Sequence, residues 1–237
     1  MRDHLNLDTV MIVPVGLVGV KIPLPPELMA YSQAMMSSHA PDPDSPDTSP
    51  QPYHHGELRP ALLACARSLL EEDGFEALSL RAVARRAGVS RQAPYHHFAD
   101  KQALLAAVAA EGFRELAETS RARMRSAAAG RERLNASGIA YVTFAAANPA
   151  LFQLMFGGGG DGFRTDPDLM AARAESFAVL TGAMEELASP GGAPPAHAAL
   201  KAWALVHGLA DLVIRGVVDP RDLGLADAEA LAQAILD

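Results

Sequence analysis

The chain of 237 residues has one cysteine, one tryptophan and only three lysines. With Cys65 alone, an intrachain disulfide and a multi-cysteine zinc finger are both excluded, and a reducing, cytoplasmic location is expected. Histidine offers no metal site in its place. His54 and His55 are adjacent, as are His96 and His97, so the members of each pair point apart on a helix. Neither a metal nor a cofactor is expected. Long apolar runs are missing too: residues 10–20 are short for a membrane span, and Pro14 interrupts them. Asp3 and Asp8 beside Arg2 make a poor secretory leader. The glycine run at 157–160 lacks the lysine and flanking strand of a phosphate loop. No nucleophile elbow or other catalytic constellation stands out, so an enzyme is not expected. Period-two alternation bounded by hairpin turns is also missing, which leaves an all-α fold.

What is present is apolar material, 49% of residues, under a net charge of −8. That suffices for a real core. The charge is uneven. Residues 1–52 carry two basic and six acidic side chains, 53–101 seven and six with four histidines, and 102–237 eleven and sixteen. The middle segment alone is not acidic, so any contact with nucleic acid belongs there. Residues 1–52 end in a Pro-, Asp- and Ser-rich stretch that cannot offset its ordering entropy. They read as a disordered leader or the product of a misassigned start, with Met35 or Met36 as the alternative first residue. Residues 53–101 read as one domain and 102–237 as a second.

Helical periodicity begins at Glu57, with Leu58, Leu62, Leu63, Ala66, Leu69 and Leu70 on one face. Asp73 and Gly74 end that helix. Ser79 caps a second short helix through Arg86, Ala87 and Gly88 make a turn, and Ser90 caps a third running to about His97. Asp100 caps a fourth, with Leu104, Leu105, Val108 and Phe113 along one side. Further helices are expected over 134–148, 149–156, 168–188, 196–218 and 226–236, with breaks at 157–160 and 189–195.

Two short helices joined by a small-residue turn form a helix-turn-helix, so residues 53–101 read as a three-helix DNA-binding domain. Val83 and Ala87 suit its interior, and Val89 before the Ser90 cap suits a hydrophobic staple. The third helix presents Ser90, Arg91, Gln92, Tyr95 and His96 to solvent. Arg91 can pair bidentately with guanine and Gln92 with adenine. Tyr95 and the helix start at Lys101 can hold phosphates. Pro94 falls inside this third helix, where it forfeits a backbone hydrogen bond and crowds the Ser90 carbonyl, so the helix is kinked or begins later. The same residues also fit two ordinary packed helices with Arg85, Arg86 and Arg91 as a solvated face.

The stretch AGVSRQAPYHHFADKQALLAAV, approached by YHHGELRPALL, resembles the TetR family of bacterial transcriptional regulators. The resemblance implies that Ser90, Arg91, Gln92 and Tyr95 lie in the recognition helix. His97 then matches the family's histidine before the aromatic, Phe98 the aromatic under the helices, and Lys101 the phosphate-contacting lysine. With Ser79 and His96, these make the expected DNA-binding set.

The C-terminal part, with YVTFAAANPALFQLMFG and later KAWALVHGLADL, resembles the TetR subgroup with a Trp-His-Gly pattern, here Trp203, His207 and Gly208. Trp203 and His207 share a helix face, and serve either as core or as ligand contacts. Phe144, Phe152, Met155 and Phe177, with Phe156 and Met184, either line an apolar cavity or pack the helices. The resemblance implies a C-terminal ligand-binding and dimerisation domain, whose last two helices form a four-helix seam through Leu205, Leu209, Leu212, Val213, Leu231 and Ile235. It further implies a homodimer on a near-palindromic double-stranded operator and a repressor released by a small-molecule effector. The residues alone also admit a helical module that binds a small molecule or a protein but no DNA.

Overall fold

A computed structural model describes residues 58–158, 160–188 and 195–237. The expectations placed on residues 1–52, on His54 and His55 and on the 189–194 break lie outside the described residues. Pro52–Asp237 forms one unit, and among the described residues it is helical with no strand.

Helix α1, Leu58–Ala77, buries Leu62, Leu63, Ala66, Leu69 and Leu70, the stripe read from the spacing. Its regular part ends at Gly74, whose φ of 78° suits a residue without a Cβ. Ser79 then caps α2, Leu80–Arg86, its Oγ accepting the Ala82 N–H at 3.2 Å. Gly88, at φ 68°, closes α2: the Val89 N–H reaches back to the Ala84 carbonyl at 3.0 Å and the Gly88 N–H to that of Arg85.

The expected third helix from Ser90 to His97 is not formed as such. Ser90–Gln92 is a turn, and only Ala93–His96 is helical, in the tighter 3-10 form. Pro94 is the cause. It lacks the N–H that would bond to the Ser90 carbonyl, which accepts from Ala93 instead at 3.1 Å. The ring is buried, so the same residue that shortens the element anchors it.

Asp100 caps α3, Lys101–Arg125, through the Ala103 N–H at 2.9 Å. Every residue from Leu104 to Ala110 is buried, which makes α3 the central helix of the fold. Helix α4, Arg131–Ala147, is followed by α5, Pro149–Gly157, after a bend of 108°. Pro149 opens α5, and Asn148 at the corner donates its Nδ2 to the Phe144 carbonyl at 3.0 Å. The short α6, Asp161–Arg164, comes next, then α7, Pro167–Glu185, and α8, Pro195–Ile214. A 3-10 turn at Pro220–Leu223 precedes α9, Ala228–Leu236, capped by Asp227. The sequence reading missed α6 and the 3-10 turn, and ran α8 four residues too far. Gly216, at φ 65°, lies just beyond the observed end of α8.

Helices α4, α7, α8 and α9 surround the long C-terminal part of α3 or one another. Two glycines set the closest approaches. A Cβ on Gly112 of α3 would stand 2.7 Å from Met155 Sδ of α5, and one on Gly138 of α4 would stand 2.7 Å from Leu236 Cδ1 of α9.

Candidate functional site

The turn and 3-10 segment after α2 present Ser90, Arg91, Gln92 and His96 to solvent, and Tyr95 is 46% exposed. Phe98 is buried beneath them, with His97 half-buried against it at 6.4 Å between ring centroids. The Arg59 guanidinium covers the Phe98 ring at 5.5 Å. Lys101 is tethered close to the α1–α2 connection: its Nζ donates to the Phe75 carbonyl at 3.3 Å and lies 4.9 Å from the Phe75 ring centroid. Ser79 is half-buried, its oxygen engaged in capping α2.

Which cations are paired separates two regions of the molecule. Among the described residues nine arginines pair with carboxylates. One is Arg86, held by Glu72 at 2.7 Å and by a second, shorter bond. That contact holds the Glu72 carboxyl below its ordinary range. Arg59, Arg81, Arg85, Arg91 and Lys101, around the helix-turn-helix, have no carboxylate partner among the described residues. Apart from Lys201, the other cations without a carboxylate partner among the described residues are Arg131, Arg164 and Arg173, and all three line a cavity in the C-terminal part.

That cavity measures about 1170 Å³ and is bounded mainly by apolar side chains of α4, α7 and α8. Phe177, Trp203 and His207 of the expected ligand set line it, as do Phe156 and Met184. Phe144, Phe152 and Met155 are not among its lining residues: all three are buried in the core, Phe144 on α4, and Phe152 and Met155 on α5 beyond the sharp corner, where Met155 packs on Gly112 of α3. Phe152 still touches the cavity wall from behind, 5.4 Å from the His207 ring.

The most polar feature of the wall was not read from sequence. Tyr141, buried on α4, shares a hydrogen bond of 2.8 Å between its hydroxyl and His207 Nδ1 and accepts the Trp203 Nε1–H at 3.2 Å. Burial pushes the Tyr141 phenol well above its ordinary value and the His207 imidazole below its own, with Asp211 opposing the latter. A neutral imidazole is the form that can accept the phenolic proton at Nδ1. Tyr141 sits in a run of mostly small and apolar residues, where nothing in the spacing distinguishes it from packing. Arg173 was legible in principle, as a cation on the apolar stripe of Met170, Phe177 and Met184.

A clasp joins the two regions. Arg67 of α1 pairs with Glu115 of α3 and donates to Asn148 Oδ1 at 2.6 Å. One turn further on, Glu71 accepts the Leu151 N–H at 3.0 Å, at the start of α5, where a carboxylate also complements the helix dipole. The far end of α5 carries Phe156, 4.8 Å from the His207 ring and 6.2 Å from that of Trp203.

Comparison with known proteins supplies the family. Residues 62–108 match the bacterial regulatory proteins of the tetR family, and residues 134–237 match the tetracyclin repressor-like C-terminal domain. The chain is similar to the HTH-type transcriptional activator FasR of Mycolicibacterium smegmatis, 29% identical over 143 residues that cover 60% of this chain and 64% of that protein. Its fold is similar to a structure of unknown function from Rhodococcus sp. RHA1, with a TM-score of 0.67 and 37% identity over 79% of this chain and 95% of that one. It is also similar to the transcriptional regulator FadR of Bacillus subtilis in complex with stearoyl-CoA, with a TM-score of 0.61 and 17% identity over 75% of this chain and 95% of that one. With both family domains matched in order around the helix-turn-helix described above, the chain belongs to the TetR family of bacterial transcriptional regulators.

Proposed function

We propose that this chain is a cytoplasmic, homodimeric repressor that binds a near-palindromic operator and is released from it by a small molecule held in the C-terminal cavity. The observation that carries the reading is the solvent-facing edge of Arg91, Gln92 and Tyr95, surrounded by cations without carboxylate partners in an otherwise acidic chain. Arg91 and Gln92 have the donors to read base edges, Tyr95 and Lys101 can hold phosphates, and Ser79, Ser90, His96 and His97 complete the proposed contact set. One such edge contacts too few bases to specify a genomic site. Two copies about 34–36 Å apart would read successive major-groove faces.

Dimerisation is supported by the exposed side of α8 and α9. Leu205 is 52% exposed, Leu212 40% and Ile235 51%, whereas Leu231 of the expected seam is buried in the core. Helix α8 is long and apolar enough to cross a membrane, yet only 17% of its apolar window is buried within the chain. Gly208 lies on the exposed side with no atom within 4 Å of where a Cβ would stand, so a second copy of the helix could approach closely. A dimer seam covers this surface without any lipid.

Release follows from differential affinity. An effector that fits the cavity better when the two DNA-reading edges are further apart draws the population from the operator-fitting state, with a coupling of roughly 1–3 kcal/mol. The stearoyl-CoA held by the Bacillus subtilis relative supports a small-molecule occupant, and the Glu71–Leu151 hydrogen bond ties α1 to α5, the helix that carries Phe156 of the cavity wall. A mobility-shift assay on the DNA flanking its own coding sequence tests the reading. Retention of two chains per site, reversed by a cavity ligand, supports it. Sequence-independent retention, or none, overturns it.

A further inference from the structure

We infer that the cavity selects an amphiphile with an unbranched apolar body and an anionic head, carboxylate or phosphate, held by Arg164 and Arg173. This rests on the reading of the cavity as the effector site and adds the chemical class of its occupant.

The shape comes from α7. Met170, Phe177, Leu180 and Met184 line the cavity at helical spacing, and at 1.5 Å per residue the row from the first to the last spans about 21 Å. An apolar wall of that length, part of it exposed at Met170 and Phe177, favours an extended chain over a compact ring system. The head group follows from charge. Among the described residues no acidic side chain lines the cavity, whereas three arginines do. Among the described residues none of the three has a carboxylate partner, whereas Arg133, two residues from Arg131 on α4, pairs with Glu186. A guanidinium beside an apolar slot with no counter-ion leaves a site for an anion.

The arginines are not equivalent. Arg131 begins α4, beside the end of α7 where Arg133 pairs with Glu186. Arg164 ends α6, and Arg173 lies in the second turn of α7, so both belong to the opposite end. There the Arg173 guanidinium stands 5.6 Å from the Phe113 ring centroid and makes a long hydrogen bond of 3.5 Å to the Met155 carbonyl. Two exposed planar forks at one end, neither paired with a carboxylate among the described residues, suit the oxygens of one carboxylate or phosphate. Arg131 is left at the tail end.

Trp203 is the only tryptophan and lines the cavity, so its emission reports occupancy in the full chain. The probes are tetradecanoate, tetradecyl phosphate, tetradecanol and tetradecylammonium, each below its aggregation concentration. Both anions are expected to bind about tenfold or more tighter than the alcohol, and the ammonium more weakly than the alcohol. Whichever anion binds tighter identifies the head as carboxylate or phosphate. Arg173→Gln and Arg164→Gln should each reduce the advantage of the anions while retaining the alcohol, which also shows that the variants are folded. Arg131→Gln should leave the advantage in place. Equal binding of alcohol and anions, or an advantage that survives in both Arg173→Gln and Arg164→Gln, overturns the head-group assignment while leaving an apolar effector cavity standing. Failure of all four probes to alter Trp203 emission overturns the effector-cavity reading, and this inference with it.

Discussion

The hydroxyl of Tyr141 joins three residues that touch the cavity. Removing it in Tyr141→Phe leaves His207 Nδ1 and the Trp203 N–H without their partner. A loss of about 1–3 kcal/mol is expected in chemical denaturation, together with a change in Trp203 emission. The same cluster gives stability a pH dependence. His207 is held below its usual value of 6.5 by burial, so the unfolded chain takes up its proton first as pH falls. Its contribution is complete above about 6.5 and declines as pH drops through the folded value. Melting curves from pH 7.5 to 5 should show this decline, and His207→Gln should flatten it. Undiminished pH dependence in that variant would place the titrating group elsewhere. At the DNA edge, Lys101→Ala should weaken binding to every sequence and lower the salt slope by about 0.9 for each phosphate the lysine neutralises. Arg91→Ala should instead cost about 1–3 kcal/mol of discrimination at particular base positions. Identical salt slopes for parent and Lys101→Ala would show that Lys101 neutralises no phosphate.

At the scale of the element, what could be read from sequence was what local rules govern. The caps at Ser79 and Asp100 and the breaks at Gly74 and Gly88 rest on one side chain or one backbone angle each, so spacing revealed them. The third helix was misjudged in extent because two local rules conflict there. Ser90 favours a helix start, while Pro94 four residues later removes the bond that start needs, and the chain settles on a 3-10 turn. The cavity was only half legible. Periodicity marks Phe152 and Met155 as apolar, but the 108° corner before α5 sets which way that helix runs over the core that buries them, and no local rule encodes the direction of a corner. The clasp across that corner is equally non-local, since Glu71 and Leu151 lie 80 residues apart. Glu71→Gln keeps an acceptor but removes its charge. It should reduce the effect of a cavity ligand on DNA affinity while leaving ligand binding and DNA binding, measured separately, close to the parent. A full ligand response in that variant would route the coupling elsewhere.

For the whole molecule, the division between core and surface on α8 and α9 matters most. Sequence marks Leu205, Leu212, Leu231 and Ile235 alike as apolar. Packing then takes Leu231 into the core and leaves the other three outside, where a two-fold partner would cover them. The claim on which the rest depends is that two copies of the chain, joined through that face, present two Arg91–Tyr95 edges to one stretch of duplex. Analytical ultracentrifugation of the parent and Leu205→Glu, with and without a labelled operator fragment, tests it most directly. The account predicts a parent dimer that binds the fragment as a dimer, and a Leu205→Glu monomer that is folded but no longer binds tightly. A parent that sediments as a monomer and still binds the operator tightly, or a monomeric Leu205→Glu that binds it as well as the parent, would contradict the account.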